Sequence, residues 1–80
     1  MPEAYFVYII QCADQSYYVG LTNDLVQRFQ QHIDGFFSTC YTYTRRPLQL
    51  KYYETIPFLK EAVEREIQIK KWSRAKKKAL

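Results

Sequence analysis

Two runs of β-branched and aromatic residues open the chain. Residues 5–11 read YFVYIIQ and residues 16–21 read SYYVGL. Both are too short for a stable free-standing helix, and their side chains suit a pleated surface. Asp14, Gln15 and Ser16 supply turn chemistry between them, so the pair predicts an antiparallel hairpin. The pattern changes after Leu21. Thr22 or Asn23 can cap a helix, with Asp24 well placed in its first turn. At about 100° per residue, Leu25, Phe29, Ile33 and Phe36 share one face, with Arg28 and His32 together on its flank. Asp34-Gly35 is a stop signal, which bounds this helix at 24–34.

Residues 36–47, FFSTCYTYTRRP, read mainly as loop, and residues 48–55, LQLKYYET, as a third strand. Pro57 stands where its missing N–H costs a helix little, so a second helix is expected over 58–72. Ser73 then caps a short basic helix or tail over 73–80. The order β-β-α-β-α, with a final short helix, predicts an α+β fold: a three-stranded, mostly antiparallel sheet flanked by helices. Eighty residues make a single domain over 1–80. Such a domain has little room for a deep pocket, so a site is expected in a surface groove.

One residue of the second helix breaks its pattern. On the helical wheel Leu59, Ala62, Val63 and Ile69 fall on one broad face, and Glu66 lies in the middle of it. A carboxylate on an apolar stripe is costly unless it is paired or holds a metal. Pairing with Lys70 one turn on is one explanation, and a metal-ligand or acid–base role is the other. Glu61 and Glu64 lie on other faces and read as solvated charges.

Composition narrows the class further. Eight tyrosines among 80 residues let a small domain build a core from rings whose polar tips stay near the surface. No basic segment followed by an apolar run opens the chain, and no apolar stretch is long enough to span a bilayer, so a cytosolic protein without membrane contact is expected. Cys12 and Cys40 are too few for a zinc site with a single histidine, and read as thiols rather than a disulfide. The net charge of +4 is uneven: more than half of the twelve basic residues lie within 65–78, and Arg45-Arg46 forms a second cluster. This is either a solvated helix end or the electrostatic footprint of a nucleic-acid binder.

VYI at 7–9 and YVG at 18–20 resemble the two halves of the signature of the GIY-YIG nuclease superfamily. Tyr8 and Tyr18 are spaced as in that signature. The likeness continues through YVGLTNDLVQRFQQH, with Arg28 and His32 one turn apart, and through AVEREIQIKKW, which carries Glu66. Together with RRPL and KKWSRAKK, these features resemble the small stand-alone bacterial proteins that consist of this domain alone. Phe6 stands where the signature has glycine, and Leu21 where some members have lysine.

The resemblance implies a divalent-metal-dependent endonuclease that hydrolyses DNA phosphodiesters with little sequence specificity, in DNA repair or processing. It implies one Mg²⁺ or Mn²⁺ on Glu66, Arg28 on the phosphoryl oxygens, Tyr18 as water activator beside Tyr8, and His32 as relay. A phenol must have its pKa lowered by a nearby cation to serve as a base at neutral pH. Gly20 would let the substrate backbone approach. Arg45, Arg46, Lys70, Lys71, Arg74, Lys76 and Lys77 would hold DNA phosphates without reading bases. The protein is expected to act as a monomer. A non-catalytic nucleic-acid-binding module and an interaction domain for a protein partner remain alternatives on the same fold.

Overall fold

The strand Tyr5–Gln11 (β1) is the centre of the molecule, a computed structural model describing residues 3–80. It pairs antiparallel with Tyr17–Thr22 (β2) on one side and with Gln49–Ile56 (β3) on the other, giving the sheet order β2-β1-β3. A central strand covered on both faces has no solvent side, which is why Val7, Tyr8, Ile9 and Ile10 form an unbroken buried run rather than an alternating one. The expected α+β architecture is therefore the observed one.

The two faces carry different cores. Val7, Ile9 and Val19 pack with Ala62 and Ile69 of the helix Leu59–Lys70 (α2). Tyr8, Ile10 and Cys12 pack on the other face with Leu25 and Phe29 of the helix Leu25–Ile33 (α1). A bulge opposite Ile9 and Ile10 lets β3 serve both layers: Leu50 joins the α1 side, while Tyr52 and Ile56 join the α2 side. The expected hairpin turn is built by Asp14, whose carboxylate accepts from the backbone N–H and the hydroxyl of Ser16.

Helix ends follow local chemistry, with one change. Asp24 itself is the cap of α1, accepting from the Gln27 N–H at 3.1 Å, and Thr22 holds Asp24 by accepting its N–H at 3.1 Å. The helix stops through Gly35, whose φ of 72° is left-handed, with the N–H groups of Gly35 and Phe36 closing onto His32 and Gln31. Ser73 caps the short helix Arg74–Lys78 (α3) as expected, accepting from the Lys76 N–H.

Both long helices are rotated from the faces their patterns predict. In α1, Ile33 and Phe36 are exposed and His32 is buried, because the imidazole finds hydrogen-bond partners inside that Ile33 would not need. In α2, Leu59 and Val63 face outward with Ile67. Ala62 presents little bulk and lets the helix lie close on the sheet. Arg65 then anchors the rotation by donating from Nε and Nη2 to the two oxygens of Glu54 at 2.8 and 2.7 Å.

That anchor yields a pH prediction. Hydrogen bonds from Arg65 hold the Glu54 carboxyl below its ordinary value. A depressed folded pKa stabilises the fold above the unfolded pKa, and the contribution is lost as pH falls through the folded one. Glu54→Gln should cost about 1–2 kcal/mol at neutral pH, and the gap to wild type should close below about pH 4. Denaturant titrations of both proteins at pH 3 and 7 check this.

Candidate active site

Tyr8 and Gly20 face each other across β1 and β2, and this pairing organises the site. A Cβ on Gly20 would lie 2.9 Å from Cε1 of Tyr8 and closer still to its Cζ and hydroxyl. The phenol therefore occupies the space the glycine leaves. This corrects the expectation that Gly20 opens a path for substrate: the room is taken by the protein's own ring.

Held there, the Tyr8 hydroxyl lies 3.1 Å from Nε2 of His32, one of the buried groups of α1. The other ring nitrogen, Nδ1, lies 2.8 Å from Oγ1 of Thr42, and Thr42 donates to the Cys40 sulfur at 3.6 Å. Tyr18 packs against His32 with ring centroids 5.2 Å apart. Phe37 closes the other side of the imidazole at 5.3 Å, with the Arg28 guanidinium 5.4 Å over the Phe37 ring.

Tyr18, Arg28, His32, Phe37, Thr39 and Cys40 line a cavity of about 210 Å³. A larger one, about 330 Å³, lies at the hairpin end among Gln11, Cys12, Ala13, Gln15, Pro47, Leu48 and Gln49 and holds no charged side chain. The smaller cavity is the one lined by ionisable side chains, Arg28, His32, Tyr18 and Cys40. Among the described residues Arg28 makes no ion pair, so its charge is available to an anion entering there.

The protein environment keeps the two phenols and the imidazole neutral but favours the Cys40 thiolate. Burial pushes the Tyr8 phenol up to about 12, with Arg28 pulling it partway back. Burial, and then the neighbouring Tyr8 and Cys40, raise Tyr18 as well. The expected lowering of a phenol by Arg28 is thus outweighed by desolvation. Burial and the Arg28 charge instead lower His32, which is neutral at physiological pH. Burial raises Cys40, but hydrogen bonds from Thr42, Tyr18 and the Tyr41 backbone outweigh it and lower that thiol.

The His32 shift has a thermodynamic counterpart. Its contribution to stability is complete above the unfolded value of about 6.5 and declines as pH falls below it toward the folded pKa. Thermal unfolding should therefore weaken between about pH 7 and 5, and a His32→Asn variant should lack that component.

The structure brings Tyr8, Tyr18, Arg28 and His32 together on the α1 side of the sheet. Glu66 comes from α2, in the opposite layer, and its charge still reaches both phenols, raising each. Its side chain is 19% exposed, and its ion-pair partner is Lys70 at 3.7 Å. Among the described residues no three His, Cys, Asp or Glu side chains gather into a cation cage. One accessible carboxylate, with water and phosphate completing the shell, suits Mg²⁺ or Mn²⁺, so the donor set fits the implied ion.

The basic residues divide. Arg45 donates to Asp14 and to the Tyr41 carbonyl and lies 3.8 Å over the Tyr41 ring. Arg46 donates to the carbonyls of Tyr43 and Ile33. Both guanidiniums thus tie the loop to the hairpin and to α1. Lys71 and Arg74 are exposed, Lys76 lies 4.5 Å from the Trp72 ring, and Lys77 reaches the Lys70 carbonyl. Phe6 packs edge-on against Tyr53, away from the cavity. Cys40, Phe37 and Thr42 escaped the sequence reading because they sit in a stretch without periodicity.

Comparison with known proteins agrees with this geometry. A UPF0213 protein of Syntrophus aciditrophicus is 42% identical over 72 residues, covering 90% of this chain and 83% of that one. The solution NMR structure of the UPF0213 protein BH0048 from Bacillus halodurans is 36% identical with a TM-score of 0.60, covering 95% of this chain and 80% of that one. That of the protein EF2693 from E. faecalis is 29% identical with a TM-score of 0.66 and the same coverage. The model of the GIY-YIG catalytic domain matches residues 4–79, and the chain belongs to that nuclease-type family.

Proposed function

We propose that this chain is a divalent-metal-dependent endonuclease that hydrolyses DNA phosphodiesters with little sequence preference. The observation that carries the reading is the single small cavity where an unpaired arginine, a phenol and a neutral imidazole meet. Hydrolysis needs charge stabilisation at the phosphoryl group, an oriented water and a proton acceptor. Arg28 meets the phosphoryl oxygens through its fork, a geometry lysine lacks. Tyr18, on the cavity wall, orients the attacking water.

With both phenols raised, the proton acceptor at neutral pH is His32, reached through the Tyr8 hydroxyl. Glu66 holds Mg²⁺ or Mn²⁺ in place of its contact with Lys70, and the ion, when bound, supplies positive charge to the phosphate and the leaving oxygen. Lys71, Arg74, Lys76 and Lys77 add salt-sensitive, sequence-independent contacts to the backbone of the nucleic acid. A role in DNA repair or processing, as a cytosolic monomer with all 80 residues in one domain, completes the reading.

Cleavage of labelled branched, nicked, single-stranded and duplex DNA, with and without Mn²⁺ or Mg²⁺, tests it. Metal-dependent products that disappear in Glu66→Ala support the nuclease. Salt-sensitive binding without cleavage, equal in both proteins, replaces it with the binding module.

A further inference from the structure

Thr42 has no place in the mechanism above, yet it is 1% exposed and its hydroxyl makes the shortest contact to the imidazole. A threonine hydroxyl has one proton to give, and a neutral histidine has one ring N–H. The donors along this line can therefore be counted. If Nε2 carried the proton, it would donate to the Tyr8 oxygen and Thr42 would donate to Nδ1. The Tyr8 O–H would then have no acceptor, in a phenol that is 1% exposed and packed over Gly20. A buried donor left unmade is costly.

The opposite order gives the Tyr8, His32 and Thr42 protons an acceptor each. Tyr8 donates to Nε2, Nδ1–H donates to Thr42, and Thr42 donates to the Cys40 sulfur. The line has one consistent direction, and Thr42 is where it is set.

We infer that Thr42 is a positioning residue that fixes His32 as the Nδ1–H tautomer, so that the Nε2 lone pair faces the Tyr8 hydroxyl. Its consequence for catalysis rests on the nuclease reading, since only that reading needs a base at Nε2. The inference also gives the loop before β3 a function. By presenting Thr42 and Cys40 from beneath the imidazole, the loop decides which nitrogen is basic. Tautomer control by the group opposite the working nitrogen is a general device of catalytic histidines.

His32 is the sole histidine of the chain, so its ring nitrogens can be read without assignment ambiguity. The test is heteronuclear NMR of the imidazole at neutral pH in wild type, Thr42→Val and Thr42→Ser, with the cleavage assay run on the same samples. Wild type should show the proton on Nδ1. Thr42→Val keeps the shape and removes the hydroxyl, and should move population to the Nε2–H form. Thr42→Ser should restore the wild-type tautomer. Cleavage should fall about tenfold or more in Thr42→Val and recover in Thr42→Ser.

A proton on Nε2 in wild type would overturn the inference, as would an unchanged tautomer in a folded Thr42→Val. If Thr42→Val does not fold, wild type and Thr42→Ser still decide, because both must carry the proton on Nδ1. Absence of cleavage in all three proteins, with the tautomer responding as described, would remove the nuclease reading and sustain the assignment of the hydrogen bond.

Discussion

Glu66→Ala lowers metal-dependent cleavage by about a thousandfold while shifting the melting temperature by no more than a few degrees. The two halves of this expectation separate the two explanations of the residue. If Glu66 is only the partner of Lys70, the variant loses an i,i+4 ion pair worth about 0.3–0.5 kcal/mol. Lys70 is itself half exposed, and water readily takes over its solvation. Alanine also has the higher helix propensity, which offsets part of that loss. Stability therefore hardly changes on either explanation.

Activity separates them. A carboxylate that is four-fifths covered, has no donor but Lys70 among the described residues, and lies close enough to raise Tyr8 and Tyr18 is costly to the fold. On the proposed reading its use is to attract a cation to the edge of the site. Lys70→Met should strengthen rather than weaken metal binding, because the competing ammonium is gone. Titration of Mn²⁺ into wild type, Glu66→Ala and Lys70→Met measures this, and equal affinity in all three would sink the assignment of the metal to Glu66.

Gly20→Ala has the larger effect on the fold, about 2–3 kcal/mol, or roughly 10–20 °C in a domain of this size. The added methyl lands on the Tyr8 ring, and that ring has no free direction to retreat. It springs from the central strand, packs edge-to-face with His32 at 6.0 Å, and is tied to it through the hydroxyl. Relief requires tilting the phenol, which lengthens the contact to Nε2 and loosens the imidazole. Stability and the order of the site therefore fail together.

A double-mutant cycle isolates the cause. In a Tyr8→Ala background the Gly20→Ala cost should drop below about 1 kcal/mol, since the two positions are coupled only through the ring. Equal cost in both backgrounds would mean that the glycine matters for its backbone, not for its neighbour.

The sequence by itself determined the elements, because strand and helix preferences act within a few residues. The β-branched and aromatic run in 5–11, the alternation in 48–55, the stop at Gly35 and the cap at Ser73 are each decided by backbone chemistry inside one turn or one pleat. It also carried the family resemblance that marks Tyr8, Tyr18, Arg28 and His32 as the proposed reagents.

The tertiary structure decided what those side chains face. Whether Leu59 or Ala62 lies on the sheet depends on the Arg65–Glu54 pair, whose members are 11 residues apart in different elements. Whether Ile33 or His32 is buried depends on hydroxyls at positions 8 and 42. The freedom of Arg45 and Arg46 was lost to carbonyls that become available only once the loop is folded. Thr42 and Cys40 reach the site from a segment without periodicity. Local propensity acts over neighbours in the chain, whereas hydrogen-bond satisfaction in a buried site acts over neighbours in space, and for this protein the second buried His32 between Tyr8 and Thr42.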